Sequence, residues 1–209
     1  YAHPILQAHG MHAVVFVVTG WMGQGPARPH AGHPGALLPA TPDHRGCEDA
    51  IFRQGQADQV MMRWDEARAA IAAGTFEVHC HTHSHTRWLQ RQDLDRSQRR
   101  GGLDADLAKA RQVLQQELGS ASDTLCWPYG DFDADHVEIA RAHGFRYLHT
   151  THPFGRNRIG GDAGHIYRFA VRDRPAGWLR RRIACSYLPA LAPLFNGFKA
   201  RRKGLPAGP

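Results

Sequence analysis

Residues 75–85 read Thr75-Phe76-Glu77-Val78-His79-Cys80-His81-Thr82-His83-Ser84-His85. Thr75 to Cys80 predicts a strand, which places the histidines at its carboxyl end. In an extended chain alternate side chains share a face, so His81, His83 and His85 converge only if the backbone stays straight. A turn after Thr82, as strand ends make, brings His81 and His85 together as two imidazole ligands. Neutral imidazole suits zinc, nickel, cobalt or iron, and a catalytic site needs three protein ligands with one position open. A solvent-exposed His-rich loop with no fixed metal is the other reading of the same string.

Upstream, Ala13 to Thr19 (AVVFVVT) predicts a strand buried on both faces, preceded by a short helix over 2–9 that ends at Gly10. Residues 20–58, rich in Gly, Pro and His, predict a long loop. Trp64 to Ala73 predicts a helix closed by Gly74. Downstream, Leu103, Leu107, Ala110, Leu114 and Leu118 recur at helical spacing and predict a helix over 103–118, stopped by Gly119. Asp123 to Trp127 predicts a short strand running into the turn Pro128-Tyr129-Gly130, followed by a helix over 134–143. Phe145–Thr150 and Tyr167–Val171 predict two more strands. Strands alternating with helices favour an α/β fold with mainly parallel strands, and α/β folds place ligands at the carboxyl edge of the sheet.

The chain has 209 residues, 42% hydrophobic and 22% charged, which excludes disordered and collagen-like classes. No run approaches the roughly 20 apolar residues of a membrane-spanning helix. Net charge is +7, but residues 166–209 hold ten Lys/Arg against one acidic residue, while residues 1–165 carry sixteen basic and eighteen acidic. The excess therefore sits in the tail. Four cysteines (Cys47, Cys80, Cys126 and Cys185) show no C-x-x-C spacing, so neither a zinc knuckle nor a disulfide framework is suggested.

In this order and spacing the segments resemble the polysaccharide deacetylase (NodB-homology) family of carbohydrate esterases. The family's His-[Ser/Thr]-x-x-His motif is matched by His81-Thr82-His83-Ser84-His85, and its Tyr/Trp-Pro-Tyr-Gly motif by Trp127-Pro128-Tyr129-Gly130. Residues 10–19, Trp64-Asp65-Glu66 with Gly74 and Glu77, Ala142 to Arg146, and Thr150-Thr151 fit the surrounding elements. The resemblance covers about residues 1–172. It implies a distorted parallel (β/α) barrel with a divalent metal, zinc first among the choices, held by His81, His85 and an aspartate. It further implies that the backbone N–H of Tyr129 helps hold the oxyanion, and that a late histidine, His149 or His165, protonates the leaving amine. Trp127 and Pro128 are candidate substrate contacts. The activity implied is metal-dependent removal of N-acetyl groups from a bacterial polysaccharide or amino sugar.

The family's first motif, Thr-Phe-Asp-Asp-Gly or close to it, is absent from the chain, and no Asp-Asp pair occurs in it. We expect that motif a few residues before Tyr1, which makes the domain N-terminally truncated. Cys126 stands where many members carry an arginine. Two rival functions are a catalytically dead carbohydrate-binding module and a His-rich metal-binding protein. Cys80 and Cys126 read as buried thiols, and Asp131 as a turn residue.

The expected domain ends at residue 172, with 173–209 a basic amphipathic segment. There Trp178, Leu179, Ile183, Tyr187, Leu188, Leu191, Leu194, Phe195 and Phe198 interleave with Arg180–Arg182 and Lys199–Lys203. That pattern suits an anionic membrane surface, or two short helices with solvated arginines. Nucleic acid is not expected, because no recognition motif accompanies the charge. This chain carries no signal-peptide core, and the sequence leaves the compartment of the bacterial protein open between cytoplasmic and membrane-peripheral.

Overall fold

A computed structural model of the chain describes residues 1–36, 38, 42–171 and 173–205. Its centre is a parallel four-stranded sheet in the order β1 (Ala13–Val17), β2 (Phe76–Cys80), β3 (Thr124–Cys126) and β4 (Tyr147–His149). Val15 lies opposite Val78, Cys80 opposite Leu125, and Leu125 opposite Leu148. The strands are consecutive staves of a parallel (β/α) barrel.

Alternation along the strands sorts the side chains onto two faces. Val17, Val78, Cys80, Leu125 and Leu148 are buried against the helices, together with Trp64, Leu103, Leu107, Leu114 and Phe145. The opposite face carries Phe16, His79 and His149, with both histidine rings within 6.0 Å of the Phe16 ring centroid. Val14 and Tyr147, at the other end of this face, are exposed.

The flanking helices follow their sequence signals. We label them α1 (Ala2–Ala8), α2 (His44–Phe52), α3 (Ala57–Val60), α4 (Trp64–Ala72), α5 (Arg96–Leu118), α6 (Ala134–Ala142), α7 (Ala176–Tyr187) and α8 (Ala192–Arg202). Helix α5 starts seven residues before the expected Leu103. Its start is a capping box, in which Asp95 accepts from the Gln98 N–H at 2.8 Å and Gln98 accepts from the Asp95 N–H at 2.9 Å. Gly101 and Gly102 had hidden that turn. Gly102 is placed where the Trp88 ring leaves no room for a Cβ.

Two other expectations are corrected. Residues 20–58 are not one loop, since α2 and α3 lie within or across its end. Asp43 caps α2 through the Gly46 N–H, and Gly23 bridges to Arg63. Arg28 pins the segment by donating to Glu66 Oε2 at 2.8 Å and to the Met61 carbonyl at 2.7 Å. Residues 167–171 do not form a strand. Pairing beyond β4 stops at a bridge between His149 and Ile166, after which the Tyr167 N–H turns to the Asn157 side chain.

Past that point α7 and α8 pack on one another. The Arg182 guanidinium is buried between the Phe169 and Phe195 rings, at 4.5 and 4.9 Å from their centroids. Ile183, Leu188, Leu191, Leu194 and Phe198 stay exposed. The expected boundary at residue 172 falls on a residue outside those described, as does the Tyr187 side chain. No helix among the described residues is long and apolar enough to cross a membrane.

Candidate active site

The carboxyl ends of β1, β2, β3 and β4 deliver their following loops to one edge of the sheet, as parallel barrels do. Three non-glycine residues with positive φ are found among the described residues, and all lie in these loops: Thr82 (67°), His85 (59°) and Tyr129 (58°). The left-handed region is unfavourable for a β-branched residue such as Thr82, so neighbouring bonds must hold it. The Thr82 hydroxyl accepts from the His85 N–H at 3.0 Å, and its carbonyl accepts from the Thr19 N–H at 3.1 Å. The side chain is buried.

The turn at Thr82 decides which histidines meet. His81 Nε2 and His85 Nε2 come within 3.2 Å of each other. His83 is carried away and bonds through Nδ1 to the Thr19 hydroxyl at 2.8 Å. His79 lies on the sheet face, between Ser122 and Glu77. Gly20 passes so close to the His83 carbonyl that an added Cβ would sit 2.5 Å from it.

His81 Nδ1 lies 2.7 Å from the Cys126 carbonyl, which can only accept, so this nitrogen carries the proton and Nε2 keeps its lone pair. That is the usual arrangement of a metal-binding imidazole fixed by an outer acceptor. Burial lowers the His81 pKa against that hydrogen bond, and the Arg168 charge lowers it further. A neutral ring is what a metal requires. His85 is held between two aromatic rings, Trp21 and Tyr129, each 4.8 Å from it centroid to centroid. Two imidazoles thus fit a divalent metal, whereas no group of three or more His, Cys, Asp or Glu side chains among the described residues forms a complete cage.

A residue the sequence reading passed over builds the loop. Asp106 of α5 is buried and accepts from the His83 N–H (3.1 Å), the Ser84 N–H (2.8 Å), the Ser84 hydroxyl (3.0 Å) and Trp88 Nε1 (3.1 Å). It falls on the same helical face as Leu103, Leu107 and Ala110, so a carboxylate there needs partners. That was the signal available.

The remaining predicted residues separate. Tyr129 sits at the tip of the turn, 43% exposed, with the Arg87 guanidinium 4.6 Å from its ring centroid. Trp127 is 1% exposed and stacks on Phe132, and Pro128 is buried beside it. Both therefore belong to the core, with no face for a sugar. The aromatic surface next to the histidines comes instead from exposed Tyr129 and half-buried Trp21, both packed on His85. His149 lies on the Phe16 ring, opposite Cys126 in the β3–β4 register. Burial, aided by Arg168 and His79, pushes its pKa down to about 4. His165 stands in a different cluster with His152, Tyr167 and Phe132. Cys80 is buried outright, which raises its thiol pKa to about 12. Asp131 pairs with Arg87 at 2.6 Å.

The polysaccharide deacetylase family profile matches residues 1–148. No curated protein matches the chain. Among solved structures it is similar to IcaB from Ammonifex degensii, with 20% identity over 92% of this chain and 66% of that one and a TM-score of 0.56. The deacetylase domain of BpsB from Bordetella bronchiseptica gives 20% identity, coverage of 80% and 64%, and a TM-score of 0.57. A de-N-acetylase from Aggregatibacter actinomycetemcomitans gives 17% identity, coverage of 86% and 68%, and a TM-score of 0.61. The chain thus spans about two thirds of the length of these structures, and what it shares with them at such identities is the fold.

Proposed function

The chain belongs to the polysaccharide deacetylase family, and from that premise we propose that it serves a hydrolase removing N-acetyl groups from a bacterial surface glycan or amino sugar. The observation that carries the reading is the facing pair of imidazole nitrogens, His81 Nε2 and His85 Nε2, with His81 locked in its ligand tautomer by the Cys126 carbonyl. These two side chains would hold a divalent metal, zinc first and nickel, cobalt or iron as alternatives. When bound, such an ion polarises an amide carbonyl and acidifies a water.

The chain's own groups take the remaining roles. Trp21 and Tyr129 offer apolar faces on which a sugar ring rests. The Tyr129 backbone N–H, presented by its left-handed turn, is our candidate donor to the developing oxyanion. Of the two candidate proton donors, His149 pairs in register with Cys126, whose carbonyl holds His81; at neutral pH it is uncharged and would act through a ring N–H rather than as an imidazolium. No carboxylate among the described residues completes the pair of histidines as a metal cage. The second reading is a glycan-binding module that keeps the cleft without the chemistry.

We also propose that residues 178–203 contact an anionic membrane surface, a reading supported by exposed Leu194 and Phe198 beside Lys199, Arg201 and Arg202. The site reading is tested by zinc content after equilibrium dialysis together with acetate release from N-acetylglucosamine oligomers. We expect about one ion per chain, lost in both His81→Ala and His85→Ala. Zinc retained by both variants would sink the assignment. Several ions per chain would instead favour a metal-buffering protein, and glycan affinity that survives chelation without acetate release would favour the binding module.

A further inference from the structure

The turn between β3 and α6 is closed by its own backbone. The Gly130 N–H donates to the Trp127 carbonyl at 3.1 Å, and the Asp131 N–H donates to the Pro128 carbonyl at 3.0 Å. These bonds fix Tyr129 at the tip but leave its ring exposed, and an exposed ring has several staggered positions open to it. In the structure the ring lies 4.8 Å from the His85 ring, centroid to centroid, and the Arg87 guanidinium lies 4.6 Å from its centroid.

Arg87 is itself held from the turn. Its Nε–H donates to Asp131 Oδ2 at 2.7 Å, and Nη2 lies 2.6 Å from the same oxygen. Arg87 follows His85 by two residues and Asp131 follows Tyr129 by two, so this ion pair ties the histidine loop to the turn. The chain of contacts runs from Asp131 through Arg87 and Tyr129 to His85, the imidazole whose Nε2 faces His81 Nε2 at 3.2 Å. The Arg87 and Asp131 side chains are 45% and 23% accessible, so neither the ion pair nor the cation–π contact adds much stability. What the two contacts can do is select one position of the tyrosine ring. His81 has its own restraint in the Cys126 carbonyl.

We propose that Arg87 is a positioning residue: bridged to Asp131, it holds the Tyr129 ring against His85 and so orients the second imidazole of the pair. Its consequence for metal binding rests on the site reading above. Charge and position predict opposite signs for the loss of Arg87. Removing a cation beside the histidines while leaving the Asp131 carboxylate strengthens the attraction for zinc if charge alone matters. Losing a positioning contact weakens zinc binding, because a less ordered imidazole must be immobilised as the ion binds.

Imidazole C–H signals of the metal-free full chain are followed by NMR, with those of His85 identified by their loss in His85→Ala. Tyr129→Ala marks where the His85 signals fall without the ring current of Tyr129. Arg87→Ala should move them most of the way to that position, and Arg87→Lys, which keeps a cation for the ring, should move them less. His143, at the end of α6, should keep its signals and report an intact fold. Should Arg87→Ala not fold, Asp131→Ala carries the same expectation. In zinc titrations the Kd should rise about tenfold in Arg87→Ala, as when an outer partner of a ligand is lost. Adding Arg87→Ala to Tyr129→Ala should cost no more than Tyr129→Ala alone, since both act through one ring. His85 signals unmoved in folded Arg87→Ala, or zinc bound by it as tightly as by the parent or more so, would overturn the proposal. The two readings fail separately. His85 signals that follow Arg87 in a chain holding no zinc remove the metal-site reading alone, and zinc held through both histidines with His85 indifferent to Arg87 removes this one alone.

Discussion

Replacing Asp106 by alanine would strip one carboxylate from four donors at once, two of them backbone N–H groups of the histidine loop. Buried donors left without an acceptor are expensive, so we expect a loss of about 2–4 kcal/mol in denaturant unfolding. In Asp106→Asn, which keeps one acceptor oxygen, zinc affinity should fall about 10–100-fold, as when an outer partner of a ligand is lost. Unchanged zinc affinity in a folded Asp106→Asn variant would show that the loop holds its shape without it. His149 supports a pH prediction. Its folded pKa of about 4 lies below the ordinary histidine value, so the unfolded chain binds more protons between the two. Stability should therefore fall as pH drops from about 6.5 toward 4. His149→Gln should flatten part of that decline in urea midpoints measured at several pH values. His81, lowered in the same direction by burial, accounts for some of the remainder. At this scale the sequence told which histidine types gather, because a motif is local. It did not show that Trp127 and Pro128 turn inward, since the direction of a side chain at a strand end depends on what packs beneath it.

Among the elements, α5 does two jobs. Leu103, Leu107, Ala110 and Leu114 face the sheet and make the core, and one turn of the same face offers Asp106 to the histidine loop. Its first two turns depend on the Asp95–Gln98 capping box rather than on apolar spacing. Asp95→Ala should cost about 1 kcal/mol, read as a lowered melting temperature. A melting temperature equal to the parent's would mean that the pairing of Arg96 and Arg100 with Asp135 holds this end alone. The core strands were legible from their β-branched runs. The fifth expected strand was not, because Tyr167 to Val171 has strand-like residues but its backbone bonds go to Asn157 and His152. Helices α2 and α3 escaped notice for the opposite reason: their surroundings read as loop, while Asp43 and Arg28 supply the local order.

For the molecule as a whole, charge and hydrophobicity are distributed unevenly. The excess of positive charge falls in the tail, where Leu194 is 74% and Phe198 60% exposed. Co-sedimentation with phosphatidylserine vesicles should therefore exceed that with neutral vesicles and weaken as salt rises. Leu194→Glu with Phe198→Glu should reduce it, and equal pelleting with both lipids would reject the membrane reading. The same tail is tied to the body by Arg182, wedged between Phe169 and Phe195, a contact no composition count reveals. The sequence by itself determined the parallel α/β class, the family and the two histidines of interest, because periodicity and motif spacing are properties of neighbouring residues. Only the tertiary structure decided that the turn at Thr82 joins His81 to His85 and sends His83 away. It alone placed Asp106 beneath that turn and Arg168 beside Cys126, because those groups are 22 and 42 residues from their partners in the chain. They meet only once the sheet has closed the distance.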